Sequence, residues 1–80
     1  MMSLKIGIIG VGVRGASLSF LINKYFKKQL KIVALCDLIE EKSNKVKKEI
    51  NDIKINIYKN AKSLVNNEKL DGLIITSHTD

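Results

Sequence analysis

The sequence predicts an α/β fold built on a partial doubly wound parallel sheet, and three observations predict it. Short Ile- and Leu-rich runs alternate with segments of helical period along the whole 80 residues. Glycines at positions 10, 12 and 15 mark the passage from the first run into the first helical segment. An acid, Asp37, closes the second run. Such alternation implies right-handed crossovers, so the expected arrangement is four strands in the order 3-2-1-4 with three helices.

Leu4 to Ile9 is a short apolar run ended by Gly10, which favours a buried strand. From Gly15 to Lys28 the residues Leu18, Leu21, Ile22, Tyr25 and Phe26 recur at spacings of three and four, the stripe of a helix. Its far end carries Lys24, Lys27 and Lys28, cations at the favourable pole. Lys31 to Cys36 is almost continuously apolar, as a strand covered on both faces reads. After Asp37, the residues Ile39, Val46 and Ile50 predict a second helix, with Glu40 and Glu41 early and Lys45, Lys47 and Lys48 late.

Ile53, Ile55 and Ile57 alternate with Lys54 and Asn56, which predicts a half-buried third strand at a sheet edge. Ala61 to Asn66 supplies one or two helical turns. Leu73, Ile74 and Ile75 then read as a fourth buried strand ending near Thr76. The preceding Asp71-Gly72 pair is a hairpin dipeptide, but the continuous apolar run after it favours the start of an interior strand.

Composition bounds the function. With 45% hydrophobic and 28% charged residues, the chain has the mixture of a globular protein. The net charge of +6 invites a nucleic-acid reading, yet thirteen lysines stand against the single Arg14, and phosphate recognition by side chains favours the guanidinium fork. The lysines accompany an excess of Ile and Asn that reads as a codon-usage bias, so no nucleic-acid partner is expected. Cys36 has no second cysteine to pair with and sits in an apolar run as a small core residue. A cytoplasmic location is expected, with no targeting segment and no membrane partner.

Gly10-Val11-Gly12-Val13-Arg14-Gly15 has the G-x-G-x-x-G spacing. Gly10 suits a tight turn, Gly12 a close approach of backbone to a pyrophosphate, and Gly15 close packing of helix on strand. Unpaired amides opening the helix would face the anion. Asp37 follows Gly15 by 22 positions, near the spacing expected for a ribose-binding acid. That reading makes it a ligand of the adenosine ribose and favours NAD over NADP, because a carboxylate repels a 2′-phosphate and neither Leu38 nor Ile39 supplies a cation. The competing reading makes Asp37 the N-cap of the second helix. Arg14 is placed to reach the phosphates or solvent. His78, the single histidine, lies past the fourth strand on the ligand side, without a carboxylate or nucleophile to complete a catalytic set.

The blocks Lys5-Ile-Gly-Ile-Ile-Gly-x-Gly-x-Arg-Gly15, Ile32-Val-Ala-Leu-Cys-Asp37 and Leu70-Asp-Gly-Leu-Ile-Ile75, with the element Tyr58-Lys-Asn-Ala61, resemble the Gfo/Idh/MocA oxidoreductases. The resemblance spans the chain. It implies that residues 1–80 are the N-terminal part of a dinucleotide-binding Rossmann domain whose partner domain lies outside this chain. It also implies hydride transfer between nicotinamide and a sugar, inositol or related polyol, and a homo-oligomer at full length. Ser77, His78 and Thr79 fall on the family's Thr-Pro-Asn positions after the fourth strand, so Ser77 and His78 join Gly10, Gly12, Val13, Arg14 and Asp37 as expected cofactor-binding residues. The family's catalytic Glu-Lys-Pro motif has no counterpart, so no catalytic residue is expected here. An NAD-sensing module, an NAD-dependent glycosidase of the same family and a methyltransferase-like nucleotide fold are the alternatives.

Overall fold

The computed structural model describes residues 3–76. Its elements are β1 (Leu4–Ile9), α1 (Val13–Tyr25), β2 (Leu30–Cys36), α2 (Glu40–Ile50), β3 (Asn56–Tyr58), α3 (Ala61–Asn67) and β4 (Gly72–Ile75). All strand pairs are parallel, and the sheet order is β3-β2-β1-β4, the order expected from the alternation.

The sheet is covered on two faces. On one, Ile6, Ile8, Ile32, Leu35 and Ile55 pack with Ile22 of α1 and Val46 of α2. On the other, Ala34 and Cys36 pack with Leu64 of α3. Between β1 and β2 the register slips, so that Ile6 pairs with Ile32 and Gly7 with Ala34. The extra residue, Val33, is a bulge that returns both Ile32 and Leu35 to the α1/α2 face although they are three apart. This accounts for the nearly continuous apolar run in the sequence.

Three elements differ from the sequence reading. Helix α1 starts at Val13, and its buried line is Gly15, Ser19 and Ile22, while Leu21, Tyr25 and Phe26 are exposed. Small residues seat the helix axis close to the sheet, and the Ser19 hydroxyl donates to the Gly15 carbonyl at 2.6 Å, so the bulkier stripe is rotated outward. The third strand is only three residues long. Asn51 ends α2 in the left-handed region (φ 63°), and Asp52 folds the next residues into a turn by accepting from the Lys54 amide at 3.0 Å. Ile53 therefore lies outside the strand and is 86% exposed, whereas Ile55 is buried just ahead of it. Finally, β4 is half-buried, with Leu73 and Ile75 exposed, because no strand pairs with its outer edge among the described residues and α3 covers little of that face.

Asp71-Gly72 opens a parallel strand, not a hairpin. The Asp71 amide donates to the Lys5 carbonyl and its carboxylate accepts from the Lys5 amide, both at 2.7 Å, which locks the start of β4 to β1. No helix among the described residues is long and apolar enough to cross a membrane.

Candidate functional site

Because all four strands run the same way, the segments that follow β1, β2, β3 and β4 meet at one edge of the sheet. There they enclose an open groove of about 720 Å³, lined by Gly10, Gly12, Val13 and Arg14 after β1, Asp37 to Ile39 after β2, Lys59 to Ala61 after β3, and Thr76 after β4. A groove outside the carboxyl ends of strands is where open α/β sheets take ligands. A second cavity, about 330 Å³, lies near Asn23, Lys27 and Asn51, and none of the expected cofactor-binding residues lines it.

The glycine turn is tightly built. Gly10 has φ +90°, a conformation costly for any residue with a Cβ, and its amide donates to the Cys36 carbonyl at 2.8 Å. A Cβ on Gly15 would stand 1.9 Å from the Gly10 carbonyl oxygen, so the helix can sit this close to the turn only with glycine there. Gly12 is different: a Cβ there would meet nothing within 4 Å, because the residue borders open groove.

Gly12 is also the N-cap of α1 and offers no side-chain acceptor, and the first turn carries no acid. The first helical bond runs from the Ala16 amide to the Gly12 carbonyl at 2.8 Å, which leaves the amides ahead of it without intrahelical acceptors. Uncapped amides, a helix dipole and an unobstructed approach are the donor set that a diphosphate requires.

Asp37 bridges two backbone segments. One carboxylate oxygen accepts from the Val11 amide and the other from the Ile39 amide, each at 2.8 Å. The N-cap of α2 is Ile39, with no side-chain capping bond, so Asp37 does not cap that helix; it ties the glycine turn to the end of β2. Each oxygen keeps a further lone pair for a ribose hydroxyl. Beside it, Cys36 is buried, and burial first, then the Asp37 charge, push its thiol pKa above the ordinary range, which keeps the thiol protonated and inert.

The structure brings together Gly10, Gly12, Val13, Arg14 and Asp37 around one groove; Ser77 and His78 lie outside the described residues. It also supplies residues that the sequence reading passed over. Thr76 donates from its hydroxyl to the Gly10 carbonyl and from its amide to the Ile9 carbonyl, which clamps the turn from below. Lys42 and Lys59 line the groove on its Asp37 side. Lys42 enters from the first turn of α2, close after β2, whereas Lys59 reaches the groove only through the crossover to β3, which no local pattern signals. Among the described residues, no group of three or more His, Cys, Asp or Glu side chains is arranged to hold a metal ion.

A family model described as an oxidoreductase family with an NAD-binding Rossmann fold matches residues 4–80. No curated protein matches the chain. Among solved structures, myo-inositol 2-dehydrogenase from Lactobacillus plantarum superposes with a TM-score of 0.86 at 26% identity, over 98% of this chain and 22% of that one. Scyllo-inositol dehydrogenase from Lactobacillus casei, solved with NAD(H) and scyllo-inositol, gives 0.84 at 22% identity, over 96% of this chain and 22% of that one. A dehydrogenase from Chromobacterium violaceum gives 0.74 at 25% identity, over 94% and 21%. The chain thus spans about a fifth of each of these proteins. With a glycine turn, an open helix terminus and the acid that follows β2 on one sheet edge, and a family match over nearly its whole length, the chain belongs to the Gfo/Idh/MocA oxidoreductase family as an NAD-binding Rossmann fold.

Proposed function

We propose that residues 1–80 form the N-terminal part of the cofactor domain of a dehydrogenase that oxidises an inositol or a related polyol, and that their task is to hold NAD. Bound NAD⁺ supplies the hydride acceptor. The residues of this chain bind and orient it: the α1 terminus and Gly12 take the diphosphate, Val13 and Arg14 flank it, and Asp37 accepts from the adenosine ribose. Ser77 and His78, which fall on the family's positions after β4, complete the proposed cofactor-binding set. The polyol half of the reading is supported by the two inositol dehydrogenases that share the fold.

The observation that carries the cofactor half is the empty approach at Gly12, beside uncapped helix amides and in one groove with Asp37. Gly12→Ala tests it. The backbone there has φ −78°, which alanine adopts freely, so the fold should survive with a melting temperature within about 2 °C of wild type. A methyl group in the diphosphate's path should cost about 1–3 kcal/mol of NAD⁺ binding, roughly five- to 150-fold in affinity by calorimetric titration. An unchanged NAD⁺ affinity in a folded Gly12→Ala chain would remove the diphosphate from this turn.

A further inference from the structure

We propose, resting on the dinucleotide reading above, that Glu68 is a positioning residue for the cofactor groove: from the far end of α3 it fixes Tyr58, and through Tyr58 the segments that carry Lys59, Asn60 and Asp37. None of Asn56, Tyr58 and Glu68 lines the groove. Glu68 is the C-cap of α3, which runs back from the groove for seven residues, roughly 10 Å. There one carboxylate oxygen accepts from two donors on β3, the Tyr58 hydroxyl at 2.5 Å and the Asn56 side-chain amide at 2.7 Å. Hydrogen bonds to an ionised carboxylate are shorter and stronger than neutral ones.

Tyr58 passes this hold to the groove by two routes. Its backbone leads directly into Lys59, Asn60 and Ala61, the groove wall after β3, where Asn60 caps α3 by accepting from the Ser63 amide at 2.8 Å. Its carbonyl accepts from the Asp37 amide at 3.3 Å, and the Asp37 carboxylate in turn holds the Val11 amide of the glycine turn at 2.8 Å. Apolar packing alone holds this corner weakly. Strand β3 is three residues long and has no strand on its outer edge among the described residues, and α3 buries only Leu64, in a small cluster with Ala34 and Cys36. The bonds to Glu68 add the constraint that this cluster lacks. Without them the wall after β3 gains freedom that a bound dinucleotide has to remove, which weakens binding.

The test is calorimetric titration of NAD⁺ into the wild-type chain, Tyr58→Phe, Glu68→Ala, their double variant and Glu68→Gln, with circular dichroism to show that each is folded. Tyr58→Phe and Glu68→Ala should each lose roughly three- to tenfold in affinity, and the double variant no more than Glu68→Ala alone, because both break one link. Glu68→Gln keeps an oxygen acceptor for both donors and should bind within about twofold of wild type. Ile50→Val, a control in the core on the other face of the sheet, should lower the melting temperature and leave the affinity within about twofold of wild type. A folded Tyr58→Phe that binds NAD⁺ as wild type does, losses that add in the double variant, a Glu68→Gln as weak as Glu68→Ala, or an Ile50→Val as weak as either would overturn the proposal. Should Glu68→Ala not fold, Tyr58→Phe decides, since it removes one oxygen and keeps the ring. If wild type and Tyr58→Phe bind equally, only this inference fails; if wild type does not bind, the dinucleotide reading fails with it.

Discussion

Asp37 shows how much a single carboxylate can carry. Its residue type and its spacing from Gly15 were legible in the sequence, and they left two roles open, ribose ligand and helix cap. The structure removes the cap and adds a bridge from the Val11 amide to the Ile39 amide. Asp37→Ala should therefore act in two ways. Leaving the buried Val11 with an amide that lacks its charged acceptor should cost about 1.5–3 kcal/mol of stability, seen as a lower denaturation midpoint. In the same variant NAD⁺ affinity should fall, while NADP⁺ affinity falls less or rises because a like charge has gone. A loss of stability with an unaltered NAD⁺-to-NADP⁺ affinity ratio would leave Asp37 a scaffold of the turn and nothing more.

At the scale of elements, polarity and periodicity located every helix and strand, and packing then decided which face each one buries. The α1 stripe of Leu21, Tyr25 and Phe26 has the right period, yet the helix turns Gly15, Ser19 and Ile22 inward, and at Gly15 the Gly10 carbonyl of the turn leaves no room for a Cβ. Helix α2 likewise buries a small polar residue, Ser43, one turn before Val46. Unlike Ser19, the Ser43 hydroxyl has no hydrogen-bond partner among the described residues. Ser43→Ala should therefore stabilise the chain by up to about 1 kcal/mol, through removal of an unpaired buried hydroxyl and a gain in helix propensity. Urea denaturation checks this, and a destabilised variant would mean that the hydroxyl finds a partner, such as a bound water, in solution.

For the whole molecule, the outer edge of β4 governs behaviour in solution. Leu73 is 39% and Ile75 65% exposed, next to backbone groups that no strand pairs with among the described residues. An apolar unpaired edge recruits other chains. The 80-residue chain should show concentration-dependent association by sedimentation, and Ile75→Lys should shift it toward monomer without lowering its melting temperature by more than about 2 °C. A wild-type chain that stays monomeric at millimolar concentration would show that α3 and the edge geometry already suffice to protect this face.

By itself the sequence determined the alternation of strand and helix, the parallel order 3-2-1-4, the glycine turn and the acid that follows β2. These rest on local properties, namely period, residue size and chain direction, which neighbours within a few positions decide. Only the tertiary structure decided that Asp37 bridges two turns, that Thr76 clamps Gly10, and that Lys42 and Lys59 line the same groove as the acid. Lys59 reaches that groove through the crossover to β3, and Lys42 from the first turn of α2. A parallel sheet gathers at one edge residues that are more than twenty positions apart in the chain, such as Asp37 and Lys59. Their proximity is a property of the strand order, and no window of sequence contains it.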